Sequence, residues 1–173
     1  MKAHFQMLAG YNAFANDLTY AAAAALPDDL YRADRGAFFK SMHGTLNHVL
    51  VADRIWMRRF TGQGDAPARL DAILFEELAP LLQARQVEDR RICAFVDALT
   101  PAQLEILVVY QRVTAREKIG QSLSSALAHF FNHQTHHRGQ AHAILTGLGV
   151  AAPSLDLLLF QRQAGLLRGL PDA

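Results

Sequence analysis

Apolar side chains return every three to four residues over four long stretches of the chain, the spacing of helices that bury one face. Residues 3–25 carry Phe5, Leu8, Phe14 and Leu18 in this way and close in an alanine run before Pro27, which stops the helix. Ala21 to Ala25 are good helix formers, and they fit the end of a long helix better than a low-complexity tract. A second helical block runs from Gly36 to about Thr61 and is closed by Gly62-Gln63-Gly64; its apolar arc passes through Phe38, Met42, Leu46, Val49, Trp56 and Phe60. After a loop with Pro67, a third helix spans about Glu77 to Leu99, where Pro80 is tolerated only in the first turn. Thr100-Pro101-Ala102-Gln103 has the form of a capping box with proline at the first helical position. A fourth helix runs from about Ser122 to Leu148, closed by Gly147 and Gly149, and Pro153-Ser154-Leu155-Asp156 opens a short C-terminal helix. Before it, Ile106, Val108, Val109, Tyr110 and Val113 favour extended chain, as two short strands or an irregular excursion. The pattern predicts an all-α, up-down four-helix bundle with a short irregular or β-like crossover before the last long helix. No repeat, linker or boundary interrupts it, so residues 1–173 read as a single domain.

Composition narrows the class. Hydrophobic residues make up 51% and charged residues 19%, yet no stretch approaches the ~20 apolar residues of a membrane span. A net charge of +1 gives no electrostatic case for nucleic acid or an anionic membrane. The single cysteine, Cys93, excludes an intrachain disulfide framework and fits a reducing compartment; between Ile92 and Ala94 it reads as a packed thiol. The N-terminus lacks the apolar region of a secretory signal. These features predict a soluble cytoplasmic protein, apolar enough to leave room for a homodimer interface.

One count stands out: eight histidines, five of them between positions 129 and 142. At ~100° per residue, with His133 as zero on the fourth helix, Ala126, His137 and Ile144 lie within about 40° and Leu123, Phe130, Ala141 and Leu148 within about 80°. His133 and His137 therefore fall in a core-facing stripe, His129 and His136 at its edge, and His142 on the opposite, exposed side. Histidines at i, i+4 can aim at one point from successive turns, as in the helical metal sites of zincins. A third ligand must come from elsewhere. His48 on the second helix has Ser41, Gly44, Thr45 and Ala52 within about 60° of it, small residues that leave room beside one polar ring, whereas His43 lies roughly 140° away. Geometry thus selects His48, His133 and His137. Three imidazoles with an open fourth position is the catalytic pattern for zinc, and nitrogen ligands also suit nickel, copper and ferrous iron.

The same residues carry a family resemblance. Asn132-His133-Gln134-Thr135-His136-His137-Arg138-Gly139-Gln140 resembles the N-H-x-x-H-H-R-G-Q block of the DinB/YfiT-like superfamily. Asn47-His48 through Asp53 to Trp56 resembles its H-x-x-x-x-D-x-x-W segment, and Tyr11-Asn12-Ala13-Phe14-Ala15-Asn16 its Y-N-x-W-A-N stretch, with phenylalanine in place of tryptophan. The Pro153–Asp156 tail also fits. The resemblance implies a four-helix bundle, often a homodimer, with one divalent metal on three histidines, carried here by His48, His133 and His137. It implies zinc, nickel or iron as the ion and a low-molecular-weight thiol as a possible cofactor, since better-studied relatives are thiol-dependent transferases and isomerases. The family name refers to DNA-damage induction, which does not imply DNA binding.

Two functions follow as expectations: a thiol-dependent transferase acting on small electrophiles (or a metal-water hydrolase at the same site), and a non-catalytic metal- or ligand-binding bundle. The catalytic residues beyond the metal site are not assigned. Asp53 lies on the apolar arc, where it either pairs with an arginine between helices or orients a metal ligand. Asn12 and Asn16 share a face and either satisfy core polar groups or line a pocket. Arg54, Arg58 and Arg59 fit a solvated helix end, Trp56 and Phe60 fit the core, and Tyr110 is a candidate pocket wall.

Overall fold

The computed structural model describes residues 1–111 and 117–167, so Val113 lies outside the described residues. Helix α1 is Lys2–Ala24, α2 is Asp28–Arg32, α3 is Met42–Thr61 and α4 is Leu78–Ala98. A 3-10 turn at Ala102–Glu105 leads to strands β1, Leu107–Gln111, and β2, Lys118–Ser122; α5 is Leu123–Gly147 and α6 is Leu157–Gln163. The all-α bundle with a β-like crossover is as the sequence predicts.

Several local signals act as read. Pro80 sits in the first turn of α4. Thr100 and Gln103 exchange hydrogen bonds, backbone N–H to side chain in both directions, and Leu104 is buried beneath them. Gly62 ends α3 in the left-handed conformation and returns its N–H to Arg58 O. Asp156 caps α6 by accepting from Leu158 N.

The start of α3 differs from the expected one. The chain turns at Gly36, forms an isolated bridge between Ala37 and Lys40, and enters the helix only at Ser41, whose hydroxyl accepts from Gly44 N. Phe38, expected on the apolar arc, lies in that turn and is 80% exposed.

The extended segment resolves into an antiparallel hairpin, paired from Leu107 with Ser122 to Gln111 with Lys118. Its alternation turns Val108 and Tyr110 toward the bundle and leaves Leu107 and Val109 outside. The direction of each long helix follows from its partners. Lys2 and Gln6 meet Asp97 while Asn12 and Asn16 meet Asp89, so α1 and α4 are antiparallel. Phe5 meets Phe131 and Asn12 meets Arg138, so α1 and α5 are parallel. Trp56 meets His129 and His48 meets His137, so α3 and α5 are antiparallel. The long helices therefore run up, down, down, up and not in the alternating order expected, because residues 62–77 carry the chain back along the bundle and set α4 parallel to α3.

A layer of buried polar side chains divides the core in two. One apolar cluster gathers around Phe5, Met57, Ile92 and Phe130, the other around Tyr20, Leu46, Leu81 and Leu145. Between them Arg85 reaches Asp53 at 2.5 Å and Asp89 at 3.0 Å. Asp53 accepts from Gln134 Nε2 at 2.6 Å, and Asp89 accepts from Asn12 and Asn16. Arg138 donates to Asn12, Asn16 and Gln134. Two cations and two carboxylates cancel inside the layer, and all four long helices contribute. Asp53 thus pairs with an arginine, and the two asparagines satisfy core polar groups.

Candidate metal centre

The three histidines selected by helix geometry come together. His48 from α3 and His133 and His137 from α5 each offer a ring nitrogen, and these atoms lie within 4.8 Å of one another. The rings of His133 and His137 are 4.4 Å apart at their centroids, as are those of His48 and His137, and the Nε2 atoms of His48 and His133 are 3.4 Å apart.

Outer hydrogen bonds fix how two of these rings face. His48 Nδ1 donates to Leu70 O at 2.7 Å, and His137 Nδ1 donates to Gln140 Oε1 at 2.8 Å. In the neutral imidazole a proton on Nδ1 leaves Nε2 as the lone-pair atom, so both rings keep Nε2 for a ligand role. Leu70 belongs to the 62–77 connection, which Asn47 pins to α3: its carboxamide oxygen accepts from Leu74 N and Phe75 N, and its nitrogen donates to Phe75 O. His43 adds a bond to Phe75 O, which gives that buried ring a structural part away from the cluster. Phe39 closes one side, stacked on His48 at 3.6 Å and edge-on to His137.

The residues fit a divalent cation. Three nitrogen donors converge, two have their tautomer set by an outer oxygen, and every ring is held neutral. Burial pushes His48 down to about 4 against the opposing pull of its hydrogen bond to Leu70 O, and His137 adds a further push downward. His133 is pushed down to about 3 by burial and the neighbouring imidazoles, and His137 is lowered mainly by burial. Neutral imidazole is the metal-binding form.

A pH prediction follows for metal-free protein. Unfolded histidines titrate near 6.5, whereas folded His48 resists protonation until about 4 and His133 until about 3. Between these values the unfolded chain binds more protons than the folded one, so stability falls as pH falls through that window. The Tm of chelated protein should drop by roughly 5–10 °C between pH 7 and 4.5, and the drop should shrink in a His48→Gln, His133→Gln double variant. Thermal unfolding followed by circular dichroism checks this; a slope unchanged by the substitutions contradicts it.

Beside the cluster lies an open cavity of about 440 Å³, with His48 and His133 on one wall and Trp56, Arg59, Tyr110 and His129 on others. Tyr110 takes the wall position expected of it, held by a hydrogen bond from Gln121 across the hairpin. Trp56 is buried in the core and lines this cavity as well. Arg59 departs from the expected solvated helix end: it packs over the Trp56 and Tyr110 rings and donates to Gln111 O.

The room inferred around His48 is mostly filled by the chain itself. Ser41 caps the helix, Thr45 donates back to Ser41 O, and Gly44 lies so close to the Phe39 carbonyl that a side chain has no space. Only Ala52 of that group lines the cavity. On α5 the buried arc is wider and centred further round than the expected stripe. It includes Leu127, Phe131, Gln134, Arg138 and Leu145, so His133 lies at its edge and His137 just inside. His142 is half-buried where full exposure was expected, and it lies outside the cluster.

A bundle whose core is split by a polar layer, with three imidazoles from two helices gathered beside one cavity, defines a helical protein able to hold a metal ion. The chain belongs to the DinB family, which it matches over residues 1–170. It is similar to Protein DinB of Bacillus subtilis (strain 168), with 26% identity over 162 residues that cover 87% of this chain and 89% of the relative. The resemblance read from the histidine blocks is borne out.

Proposed function

We propose that this protein is a thiol-dependent transferase that acts on small electrophiles, with His48, His133 and His137 holding one divalent ion, zinc, nickel or iron. The observation that supports it most is the pair of outer bonds, His48 to Leu70 O and His137 to Gln140, which reserve two Nε2 atoms for a ligand beside an open cavity. A divalent ion bound there supplies a Lewis acid that lowers the pKa of a bound thiol. The chain supplies the rest. Trp56, Ile119 and Tyr110 give the electrophile apolar and aromatic walls. His129 lines the same cavity, is kept neutral by burial and the Arg59 charge, and takes the thiol's proton. The sulfur then forms a C–S bond as the bond from carbon to the leaving group breaks, and the leaving group departs with the electron pair.

The same reading makes the assembly a homodimer and the compartment the cytoplasm; no helix among the described residues is long and apolar enough to cross a membrane. The test is turnover by metal-loaded protein with small thiols across a panel of alkyl, aryl and epoxide electrophiles. Rates that need both metal and thiol and fall at least about hundredfold in His137→Ala are expected. Full metal loading with no turnover across the panel would favour the non-catalytic metal-binding bundle instead.

A further inference from the structure

Among the described residues, Arg59 is the one arginine, lysine or acidic side chain on the wall of the histidine cavity. Its guanidinium carbon lies 4.5 Å from the centroid of Trp56 and 4.3 Å from that of Tyr110. The two rings meet edge to face, 5.0 Å apart, and form a corner against which the guanidinium rests, and one of its N–H donors reaches Gln111 O at 3.1 Å. No carboxylate among the described residues lies within ion-pair distance of it, although Arg32, Arg69, Arg85 and Arg91 each have one. The neighbouring stretch 112–116, Arg-Val-Thr-Ala-Arg, contains no acid either. A half-buried cation resting in a corner of two aromatic rings, with no carboxylate paired to it among the described residues, is a recognition element for a planar or tetrahedral oxyanion.

We propose that Arg59 is the anion-recognition residue of this cavity, and that the small molecule bound beside the histidines carries a carboxylate or phosphate group. This rests on the cavity being the ligand site of the proposed function and names the class of ligand it takes. Burial without a counter-ion lowers the Arg59 pKa from its ordinary value, in keeping with a charge that awaits a partner. At about 440 Å³ the cavity suits a small organic anion and not a polymer.

Trp56 is the single tryptophan of the chain and packs against Arg59, so its fluorescence reports binding there. The full chain, stripped of metal, is titrated with phenylacetate, phenyl phosphate and the neutral phenylacetamide. At least one anion should bind about tenfold or more tightly than the amide. In Arg59→Gln that preference should collapse to within about twofold, and Arg59→Lys should retain part of it. Should Arg59→Gln fail to fold, Tyr110→Leu removes one of the two rings the guanidinium rests on and should lose at least about fivefold of the preference. The same titration on His137→Ala separates the two readings: an intact preference there supports the Arg59 site whatever becomes of the metal. Equal binding of anions and amide by the unmodified protein, or a preference that survives in a folded Arg59→Gln, overturns the proposal.

Discussion

Replacing Asp53 with alanine should lower the unfolding free energy by about 3–5 kcal/mol and the Tm by roughly 6–20 °C. Asp53 is fully buried, and each carboxylate oxygen has a partner on another helix: Oδ2 takes Arg85 Nη1 from α4, and Oδ1 takes Gln134 Nε2 from α5. Alanine removes both bonds at once. Arg85 is left with Asp89 alone against two buried cations, and the Gln134 amide loses an acceptor it cannot replace with water. The size of the effect comes from stranding buried partners, not from the ion pair's net worth, which is small once desolvation is counted. Asp53→Asn should recover little of that loss: its single carboxamide oxygen can accept from Arg85 or from Gln134 but not from both, and its NH2 then faces a donor. Chemical denaturation of both variants decides it. An alanine variant within about 1 kcal/mol of the parent contradicts the assigned role of the polar layer.

His137→Ala should weaken divalent metal binding by about hundredfold or more, since removing a ligand costs more than the ten- to hundredfold lost with an outer partner. Gln140→Ala should fall in that lower range, because it frees the His137 ring without deleting it. His142→Ala, five residues along the same helix and outside the cluster, should bind metal as the parent does. Calorimetric titration of the three variants with zinc tests the order. Equal losses in His137→Ala and His142→Ala would show that the effect comes from the helix as a whole.

The histidine cluster was legible because it depends on two simple periodicities. An i, i+4 pair on α5 and a single histidine on α3 with the right neighbours identify the three residues from angles alone. What lay outside that reach depends on contacts between distant segments. Leu70, in an irregular connection, orients His48 through its backbone carbonyl, which no side-chain pattern marks. Gln134 and Arg138 disguised the true buried arc of α5, since polar residues on a helix are read as solvent-facing until their partners on α1 and α3 are known. Gly44 looked like space and is the seat of the Phe39 carbonyl. Arg59 sits among arginines at a helix end, and only the hairpin, which brings Tyr110 over it, turns it toward the cavity. The long helices were placed to within a few residues except at Gly36–Ser41, where a glycine turn and a serine cap delay the start of α3, and the five-residue α2 went unread because so short a helix has no apolar periodicity.

The central claim is that His48, His133 and His137 hold one divalent ion, and elemental analysis of untagged protein tests it most directly. Samples as purified and after saturation with zinc, nickel or ferrous iron followed by desalting should retain one ion per chain, and the His48→Ala, His133→Ala and His137→Ala variants should each retain far less. Protein that retains well under one ion per chain after every loading, or variants that retain as much as the parent, would contradict the account.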